Sequence, residues 1–291
     1  MLRGESQKPL NPLSLAWAYI SMSRPPNGLL MFLAVVVGSY VASKSLPQPL
    51  ELFLAFLTAY CLNGSSMVIN DIIDREVDKI NAPFRPIPSG RVSVGAAVIY
   101  GGALGFIGLF SSYIIGINTL IVAIIFYTIA TIYNVWLKPF GLIGNIAVSS
   151  AVVAPFLYGS VLMLNTVSPG VLILGFLAFL ANMGREVIKG IADIEGDALR
   201  EVLTVARRRG SRRASQIGAG FIIAAVVLSP LPIVLGILGW TYLFLVTIAD
   251  VGFIYSVAKI LLDPSQQTAR KVKRELLIWM GIALVAFIVG V

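Results

Sequence analysis

Two stretches of the sequence place carboxylates side by side where an apolar run ends. The first is INDIIDREVD at residues 69–78, and the second is IKGIADIEGD at residues 188–197. When they are aligned at an offset of 119 residues (188 minus 69), five positions match: Ile69 with Ile188, Ile72 with Ile191, Asp74 with Asp193, Glu76 with Glu195, and Asp78 with Asp197. Self-similarity at one offset indicates an internal structural repeat. A duplicated acidic stretch predicts that both copies share a chemical role.

The acids of each stretch fall on one face if the stretch is helical. At about 100° per residue, four polar side chains of the first stretch share a face about 100° wide: Asn70, Asp71, Asp74 and Asp78. The two aspartates of the second stretch, Asp193 and Asp197, lie about 40° apart. Glu76 and Glu195 point away from these faces, and we predict that they form surface ion pairs.

Aspartates that face one another across a helix bundle need a cation between them. At an effective dielectric constant of 20, two carboxylates about 4 Å apart repel by about 4 kcal/mol. Oxygen donors favour Mg²⁺, which also shares its ligand shell with substrate phosphates. We therefore predict a Mg²⁺ site with the ligands Asn70, Asp74, Asp78, Asp193 and Asp197. The alternative interpretation is a solvated cytoplasmic loop in which acids are flanked by basic residues.

The elements that position these acids are predicted to be membrane-spanning helices. The 291 residues are 57% hydrophobic and 12% charged, and the mean hydropathy is +0.89. Apolar runs of about 20 residues, the length that crosses a bilayer core, recur along the chain. They predict nine spans, at about 13–42, 50–70, 95–113, 117–136, 141–163, 168–190, 215–233, 237–260 and 276–291. The first run lacks a small-residue cleavage site, so we expect it to be retained as a span.

The spans and the acidic repeat together predict the fold. The fold class is all-α: a polytopic membrane protein with two four-helix pseudo-repeats, at about 13–138 and 141–260, and a terminal helix. The acidic stretches end the second and sixth spans, so they meet the same face of the membrane. An even number of spans per repeat favours parallel halves related by an axis along the membrane normal. We expect residues 1–291 to form a single integral-membrane domain.

The basic residues predict the orientation in the membrane. With nine crossings, every Lys and Arg except Lys44 falls on the side of the amino terminus, which the positive-inside rule makes cytoplasmic. The net charge of +8 then reflects topology and contact with anionic membrane lipids, and we expect no nucleic-acid partner. The run ARRRGSRRA at residues 206–214 is predicted to be a cytoplasmic loop that contacts lipid. A phosphate-binding site is the alternative.

The residue types that are missing exclude several kinds of chemistry. The chain has no His and a single Cys61, which excludes His-ligated haem, His-based zinc sites, Ser-His triads, CxxC redox motifs and intrachain disulfides. Catalysis must therefore use carboxylates, amides, Tyr, Lys and Arg. Asp250 lies midway along the eighth predicted span, where an ionisable side chain is a candidate functional group. It is either a proton acceptor or polar cavity group, or a structural hydrogen-bond partner.

Five segments carry a resemblance to a known family. NDxxDxxxD stands at residues 70–78 and DxxxD at residues 193–197, and SRPPN (23–27), FRPIPSGRVS (84–93) and YNVWLK (133–138) accompany them. Together these segments resemble the UbiA superfamily of intramembrane prenyltransferases over essentially the whole chain. The stretch at 201–209 departs from the family pattern, because Glu201 and Leu203 precede Thr204 where relatives tend to have Gly and Lys. This departure concerns the role of that loop and not the metal site.

The resemblance implies a reaction and a set of residues. Family members bind an isoprenyl diphosphate through two Mg²⁺ ions, ionise the allylic C–O bond and let an acceptor attack the cation. The implied catalytic residues are Asp71, Asp74, Asp78, Asp193, Asp197 and Lys138. The implied substrate-binding residues are Arg24, Asn27, Arg85, Tyr133 and Lys189. The bases among them would neutralise the leaving diphosphate, and anchoring at the membrane interface is the alternative role of each base and of Tyr133.

The acceptor is predicted from the second motif region. GREVIKGIADIEGD at residues 184–197 is closer to the archaeal branch that makes ether lipids than to the quinone branch. An ether-lipid acceptor needs a basic rim for its phosphate, and the chain offers Lys189, Arg200 and residues 207–213. We therefore expect transfer of a geranylgeranyl group from a prenyl diphosphate to geranylgeranylglyceryl phosphate in the cell membrane. An aromatic acceptor such as 4-hydroxybenzoate is the alternative, and an ion-coupled transporter is a remote one.

Overall fold

The computed structural model describes residues 11–195 and 202–290, and both ranges are helical with short connections and no strand. Three residues of the sequence analysis, Asp197, Arg200 and Glu201, lie outside the described residues. The first six helices are α1 Pro12–Ser23, α2 Pro25–Ser43, α3 Pro49–Ile73, α4 Arg75–Asn81, α5 Val94–Ile115 and α6 Ile117–Ile132. The others are α7 Leu142–Leu164, α8 Pro169–Ala192, α9 Val205–Leu228, α10 Leu231–Val234, α11 Trp240–Leu262 and α12 Gln266–Val289.

Eight helical segments of the described ranges are long and apolar enough to cross a membrane. They are α2, α3, α5, α6 with its extension to Phe140, α7, α8, α9 with its extension to Val234, and α11. The chain is therefore a polytopic all-α membrane protein, as predicted. The ninth predicted span corresponds to α12, which is 24 residues long but carries five charged residues within 270–275. Because of these charges, the crossing of the membrane by α12 stays a prediction.

The prediction of one continuous first span at 13–42 is wrong, because the chain bends at Arg24. Arg24 has a left-handed backbone conformation with a φ of 49°, and Pro25 and Pro26 follow it. A proline disfavours the helical conformation of the residue before it and has no N–H to donate to the preceding turn. The first helix therefore ends at Ser23, the second begins at Pro25, and the Arg24 side chain lies at the break.

The run at 206–214 was predicted to be a loop, but most of it is helical. Helix α9 begins at Val205, and the Thr204 hydroxyl accepts a hydrogen bond from the Arg207 N–H at 3.3 Å. Threonine caps a helix start well, and arginine is a good helix former. The helix is interrupted only at Gly210, whose φ of 80° is one that glycine adopts without strain. The predicted contact of this run with lipid stays a prediction.

Helices α2 and α7 cross closely at two glycines. A Cβ on Gly38 would lie less than 3.0 Å from backbone atoms of Phe156, and a Cβ on Gly159 would lie equally close to backbone atoms of Val35 and Ser39. The Ser39 hydroxyl donates a hydrogen bond across the crossing to the Gly159 carbonyl oxygen at 3.2 Å. Small residues let the backbones of membrane helices approach in this way.

The other helices pack in matched pairs on either side of this crossing. Helix α2 packs on α3 as α7 packs on α8, and α3 packs on α5 as α8 packs on α9. Helix α12 packs against α11, α8 and α2. The two helices that carry acidic motifs, α3 and α8, thus hold equivalent positions, which is the arrangement expected of two related four-helix halves.

Candidate active site

The first acidic motif begins in the last turn of α3 and continues through α4. Asp74 is the single residue between the last residue of α3 and the first residue of α4. The exposed fractions of Asp71, Asp74 and Asp78 are 4%, 7% and 1%. A buried carboxylate without a partner is strongly destabilising, so these side chains require cations.

Two arginines that are distant in the sequence supply part of this charge. At the break between α1 and α2, Arg24 Nη2 donates to Asp71 Oδ1 at 2.8 Å. In the loop after α4, Arg85 Nη1 donates to Asp78 Oδ2 at 2.5 Å and lies 3.4 Å from Asp71 Oδ1. Both side chains are about one-third exposed, whereas the carboxylates are almost fully buried. The arginines therefore lie between the aspartates and the solvent.

Lys138 supplies the third cation. Its Nζ donates to Asp74 Oδ2 at 2.5 Å and to Asn70 Oδ1 at 3.1 Å. A π-helical turn, Tyr133–Leu137, followed by a 3₁₀ turn, Lys138–Phe140, carries this side chain from the end of α6 toward the acids. Such π turns are frequent at functional sites. Three of the four bases that the sequence singled out thus contact the first motif.

The second motif has a different set of partners. Asp193 caps the end of α8 and accepts a hydrogen bond from Lys273 Nζ of α12 at 3.0 Å. Among the described residues, the partner of Lys189 Nζ is Glu186 Oε2 at 3.0 Å, and Arg185 Nη1 contacts the same carboxylate at 2.7 Å. Within residues 11–195 and 202–290, the ion pair of Lys189 is thus with a glutamate and not with an aspartate.

Sequence reasoning missed Lys273, Glu186 and Arg185. Glu186 carried a usable signal, because an acid inside an apolar run with bases one residue before and three residues after it predicts a buried ion pair. Lys273 carried no such signal, since it is one of several cations at the start of α12.

The remaining predicted residues lie as follows. Tyr133 is partly buried in the π turn, close enough to Lys189 to interact with it electrostatically. Asn27 lies in the first turn of α2 and lines a cavity described below. Glu76 forms the predicted surface ion pair, with Lys79 Nζ at 2.8 Å, and the hydrogen bond from Lys79 lowers the pKa of the Glu76 carboxyl. Glu195 is exposed.

The donors of the first motif fit a hard divalent cation. Asn70, Asp71, Asp74 and Asp78 offer oxygen donors alone, which are the ligands that Mg²⁺ prefers. Within 11–195 and 202–290 no group of three or more His, Cys, Asp or Glu side chains is already gathered as a metal site. The reason is visible in the ion pairs, because a base approaches each of the three carboxylates. Metal binding by these acids would require the bases to move.

Two apolar cavities lie between the helices. The first cavity, of about 190 Å³, is lined by residues of α2, α3, α6 and α7. The second cavity, of about 330 Å³, is lined by residues of α2, α7, α8, α9, α11 and α12. The two cavities adjoin one another, since Met31, Val152 and Pro155 line both.

Asp250 lines the second cavity and is also held by its neighbours. The Ser229 hydroxyl donates to Asp250 Oδ2 at 2.6 Å, and the Tyr242 hydroxyl donates to the Ser229 carbonyl oxygen at 2.8 Å. These bonds join the end of α9 to α11. The structure therefore gives Asp250 both roles that the sequence left open, a polar cavity group and a structural hydrogen-bond partner.

Sequence comparison finds relatives that match nearly the full length of the chain. A digeranylgeranylglyceryl phosphate synthase of Thermococcus kodakarensis is 39% identical over 275 residues, which are 94% of this chain and 97% of the relative. The enzyme of the same name from Methanosphaera stadtmanae is 35% identical over 272 residues, which are 94% of this chain and 98% of the relative.

Structural comparison agrees with the sequence relatives. A solved structure of a digeranylgeranylglyceryl phosphate synthase superposes with a TM-score of 0.79 at 34% identity, and the match covers 95% of this chain and 98% of that one. A UbiA homologue from Archaeoglobus fulgidus, solved with GPP and Mg²⁺, shares the fold with a TM-score of 0.68 at 16% identity, over 93% of this chain and 99% of that one. The model of the UbiA prenyltransferase family matches residues 30–284. The chain therefore belongs to the UbiA prenyltransferase family.

Proposed function

We propose that the protein transfers a geranylgeranyl group from geranylgeranyl diphosphate to the free hydroxyl of geranylgeranylglyceryl phosphate, with Mg²⁺ as cofactor. The observation that carries the proposal is the cluster of three buried aspartates with three bases against them at the end of α3. Family membership favours an enzyme over an ion-coupled transporter. The names of the relatives favour a glyceryl phosphate acceptor over an aromatic one.

The charges of the cluster explain how it would bind a diphosphate. Among the described residues, three carboxylates of the first motif oppose three cations, so the cluster is close to neutral. With Mg²⁺ bound, the cluster would carry a net positive charge, which would attract an anionic donor. The residues that would hold the metal are Asn70, Asp74, Asp78, Asp193 and Asp197, with Asp71 beside them. Bound Mg²⁺ supplies Lewis-acid stabilisation to the leaving diphosphate.

The three bases would then take a second role at the diphosphate. Arg24, Arg85 and Lys138 lie on the solvent side of the carboxylates, so their N–H donors can turn outward to phosphate oxygens. Arginine presents a planar fork that suits two phosphate oxygens at once. Donors held in this way stabilise the charge that develops on the leaving group as the allylic C–O bond breaks.

The apolar surroundings would protect the allylic cation. The face of α3 that carries the acids continues inward along Asn63, Ser66 and Met67, which line the first cavity. Arg24 Nη1 lies 3.0 Å from Met67 Sδ, so one of the three bases contacts a residue that lines the first cavity. A largely apolar pocket excludes water, which would otherwise capture the cation.

The site would face the cytoplasm. With the nine predicted crossings, the ends of α3 and α8 would lie on the side of the membrane where the sequence concentrates its Lys and Arg residues, and the positive-inside rule makes this side cytoplasmic. Cysteine labelling in intact cells tests this side directly. A cysteine introduced at the exposed Lys79 position is expected to resist an impermeant thiol reagent applied from outside.

A competition between acceptors tests the reaction itself. Protein in liposomes receives labelled geranylgeranyl diphosphate, Mg²⁺, and equal concentrations of geranylgeranylglyceryl phosphate and 4-hydroxybenzoate. We expect label in the diether phosphate and release of diphosphate. Label on the aromatic ring alone would contradict the acceptor assignment, and no diphosphate release with either acceptor would contradict prenyl transfer.

Replacing Lys138 or Arg85 by Met is expected to weaken donor binding or ionisation. A charge-assisted hydrogen bond contributes about 1.5–3 kcal/mol, which corresponds to roughly tenfold or more in kcat/KM for the donor. The measurement is transfer kinetics at varied donor concentration. Lys79→Met is the matched control, because Lys79 is exposed and contacts only the surface residue Glu76 among the described residues. Unchanged kinetics for both variants would indicate that Lys138 and Arg85 do not bind the donor and instead anchor the protein at the membrane interface.

A further inference from the structure

The first and second cavities are lined by equivalent positions of the internal repeat. The offset of 119 residues that aligns the acidic stretches also relates the α3 lining of the first cavity to the α8 lining of the second. Three of these pairs are Ala59 and Ala178, Leu62 and Ala181, and Asn63 and Asn182. The two cavities are therefore equivalent in the internal repeat, because α3 of the first half lines one and α8 of the second half lines the other at matching positions.

In each half, the helix face that carries the acids also lines the cavity. On α3 this face carries Asn63, Ser66, Asn70 and Asp74. On α8, the positions 119 residues later are Asn182, Arg185, Lys189 and Asp193. Spacings of 3, 7 and 11 residues keep side chains within about 80° on a helix. A chain that runs inward from either acidic motif therefore enters the cavity of the same half.

Each cavity also contains a buried N–H donor without a hydrogen-bond partner in the described part of the chain. In the first cavity it is Asn63 Nδ2, and in the second it is Arg185 Nε. Buried donors in native structures are almost always bonded, so each of these donors would gain a partner if its side chain turned toward the cavity that the residue lines. Only Arg185 is charged, so the second cavity has a donor suited to an anionic ligand.

We propose that the two cavities bind two apolar chains at once, the donor's chain in the first cavity and the acceptor's chain in the second. Arg185 binds the polar head of the acceptor. This assignment rests on the proposed function, in which both substrates carry a geranylgeranyl chain. The shared wall at Met31, Val152 and Pro155 brings the two chains side by side.

The charges decide which chain enters which cavity. The first cavity adjoins the three buried aspartates and their three bases, the part of the site suited to metal and diphosphate. The second cavity is larger, and polar side chains line it beside the apolar ones, among them Asn27, Asn182 and Arg185. An amphiphile with a phosphate and ether oxygens matches that lining better than a hydrocarbon chain alone.

A pair of equivalent substitutions tests the assignment. Ala59→Phe fills the first cavity and Ala178→Phe fills the second. We expect Ala178→Phe to raise the KM for geranylgeranylglyceryl phosphate about tenfold, because several methylene groups of the chain lose their site, while the KM for the donor stays within about twofold. Ala59→Phe is expected to do the reverse. A rise in the donor's KM from Ala178→Phe, or no change in either KM, would overturn the assignment.

A further variant tests the second cavity in case the phenylalanine variants do not fold. Gly281 lines the second cavity, and a Cβ added there meets no atom within 4 Å, so the Cβ of Gly281→Leu meets no clash and the rest of the side chain takes up cavity space. Gly102→Leu is the matched control, because Gly102 also has open space around its Cβ position but lies exposed on α5. Only Gly281→Leu should raise the KM for the acceptor, and equal kinetics for the two variants would contradict the proposal.

Photo-crosslinking locates the acceptor chain without depending on turnover. The probe is geranylgeranylglyceryl phosphate with a diazirine at the end of its chain, bound to the full-length protein in liposomes and mapped by mass spectrometry. We expect label on Leu284 or Phe287 of the second cavity. Label on Val122 or Phe126 of the first cavity, or on the exposed Phe106 of α5, would overturn the assignment. If the second cavity is labelled but no ether product forms, the proposed function fails while the cavity assignment stands.

Discussion

Asp74→Ala is expected to lower prenyl transfer at least about a hundredfold, which corresponds to about 2.7 kcal/mol of transition-state stabilisation. Asp74 is 7% exposed and accepts the hydrogen bond from Lys138 Nζ at 2.5 Å, so its loss would remove a proposed metal ligand and one partner of a base. Lys138 keeps Asn70 as a partner at 3.1 Å, so we expect the variant to fold. The measurement is transfer of labelled geranylgeranyl groups in liposomes with Mg²⁺, with thermal unfolding in detergent to verify the fold.

Two comparisons make this result specific for the metal site. Glu76→Gln should leave turnover within about twofold, because the Glu76 carboxylate is exposed and its ion pairs among the described residues are surface pairs with Arg75 and Lys79. Excess EDTA should abolish transfer by the unmodified protein, and added Mg²⁺ should restore it. Full activity in EDTA would refute the metal assignment. A loss for Glu76→Gln as large as that for Asp74→Ala would refute the prediction that Glu76 points away from the helix face that carries the aspartates.

Gly159→Val is expected to have the largest effect on stability. Any Cβ at this position lies less than 3.0 Å from backbone atoms of Val35 and Ser39 on the facing helix, and backbone atoms cannot rotate away as a side chain does. Overpacking of this kind costs about 1–3 kcal/mol or more, which at about 2–4 °C per kcal/mol for a chain of this size lowers the melting temperature by roughly 2–12 °C. The measurement is thermal unfolding of the detergent-solubilised protein. We expect prenyl transfer to fall as well, since α2 and α7 carry the wall between the two cavities.

Gly102→Val separates this effect from the general cost of placing valine in a helix. A Cβ at Gly102 meets no atom within 4 Å, and the residue is exposed on α5. Its melting temperature should change by about 2 °C or less. If both variants lose the same stability, the close crossing of α2 and α7 does not determine stability.

The membrane fold was predictable from the sequence because the bilayer constrains it strongly. A backbone in hydrocarbon must satisfy its own hydrogen bonds, so an apolar run of bilayer length is a helix. The runs at 50–70, 95–113 and 168–190 correspond in this way to α3, α5 and α8. A break between two helices leaves a weaker mark in the sequence. At Arg24 that mark is the pair Pro25 and Pro26, which the hydropathy of the run does not reveal.

The acids of the candidate site were also predictable, because their placement is local. The spacing of Asn70, Asp71, Asp74 and Asp78 puts them on one face of a helix wherever that helix packs. The burial of the three aspartates, in contrast, depends on the distant groups that pack against them. The offset of 119 residues likewise identified Asp193 as the counterpart of Asp74. The pairing of Glu76 with Lys79 is another local consequence, since residues three apart are neighbours on a helix.

The sequence by itself therefore determined the helices, the acidic faces and the repeat, whereas only the tertiary structure decided the partners of the charged groups and the cavities. Asp71 contacts Arg24 from 47 residues away, Asp74 contacts Lys138 from 64, and Asp193 contacts Lys273 from 80. Lys189 pairs with Glu186, a partner that the sequence analysis did not identify, and its binding of substrate stays a prediction. Periodicity states which way a side chain points on its own helix, but the neighbouring helix that it meets depends on how all the helices pack, and a cavity exists only between helices.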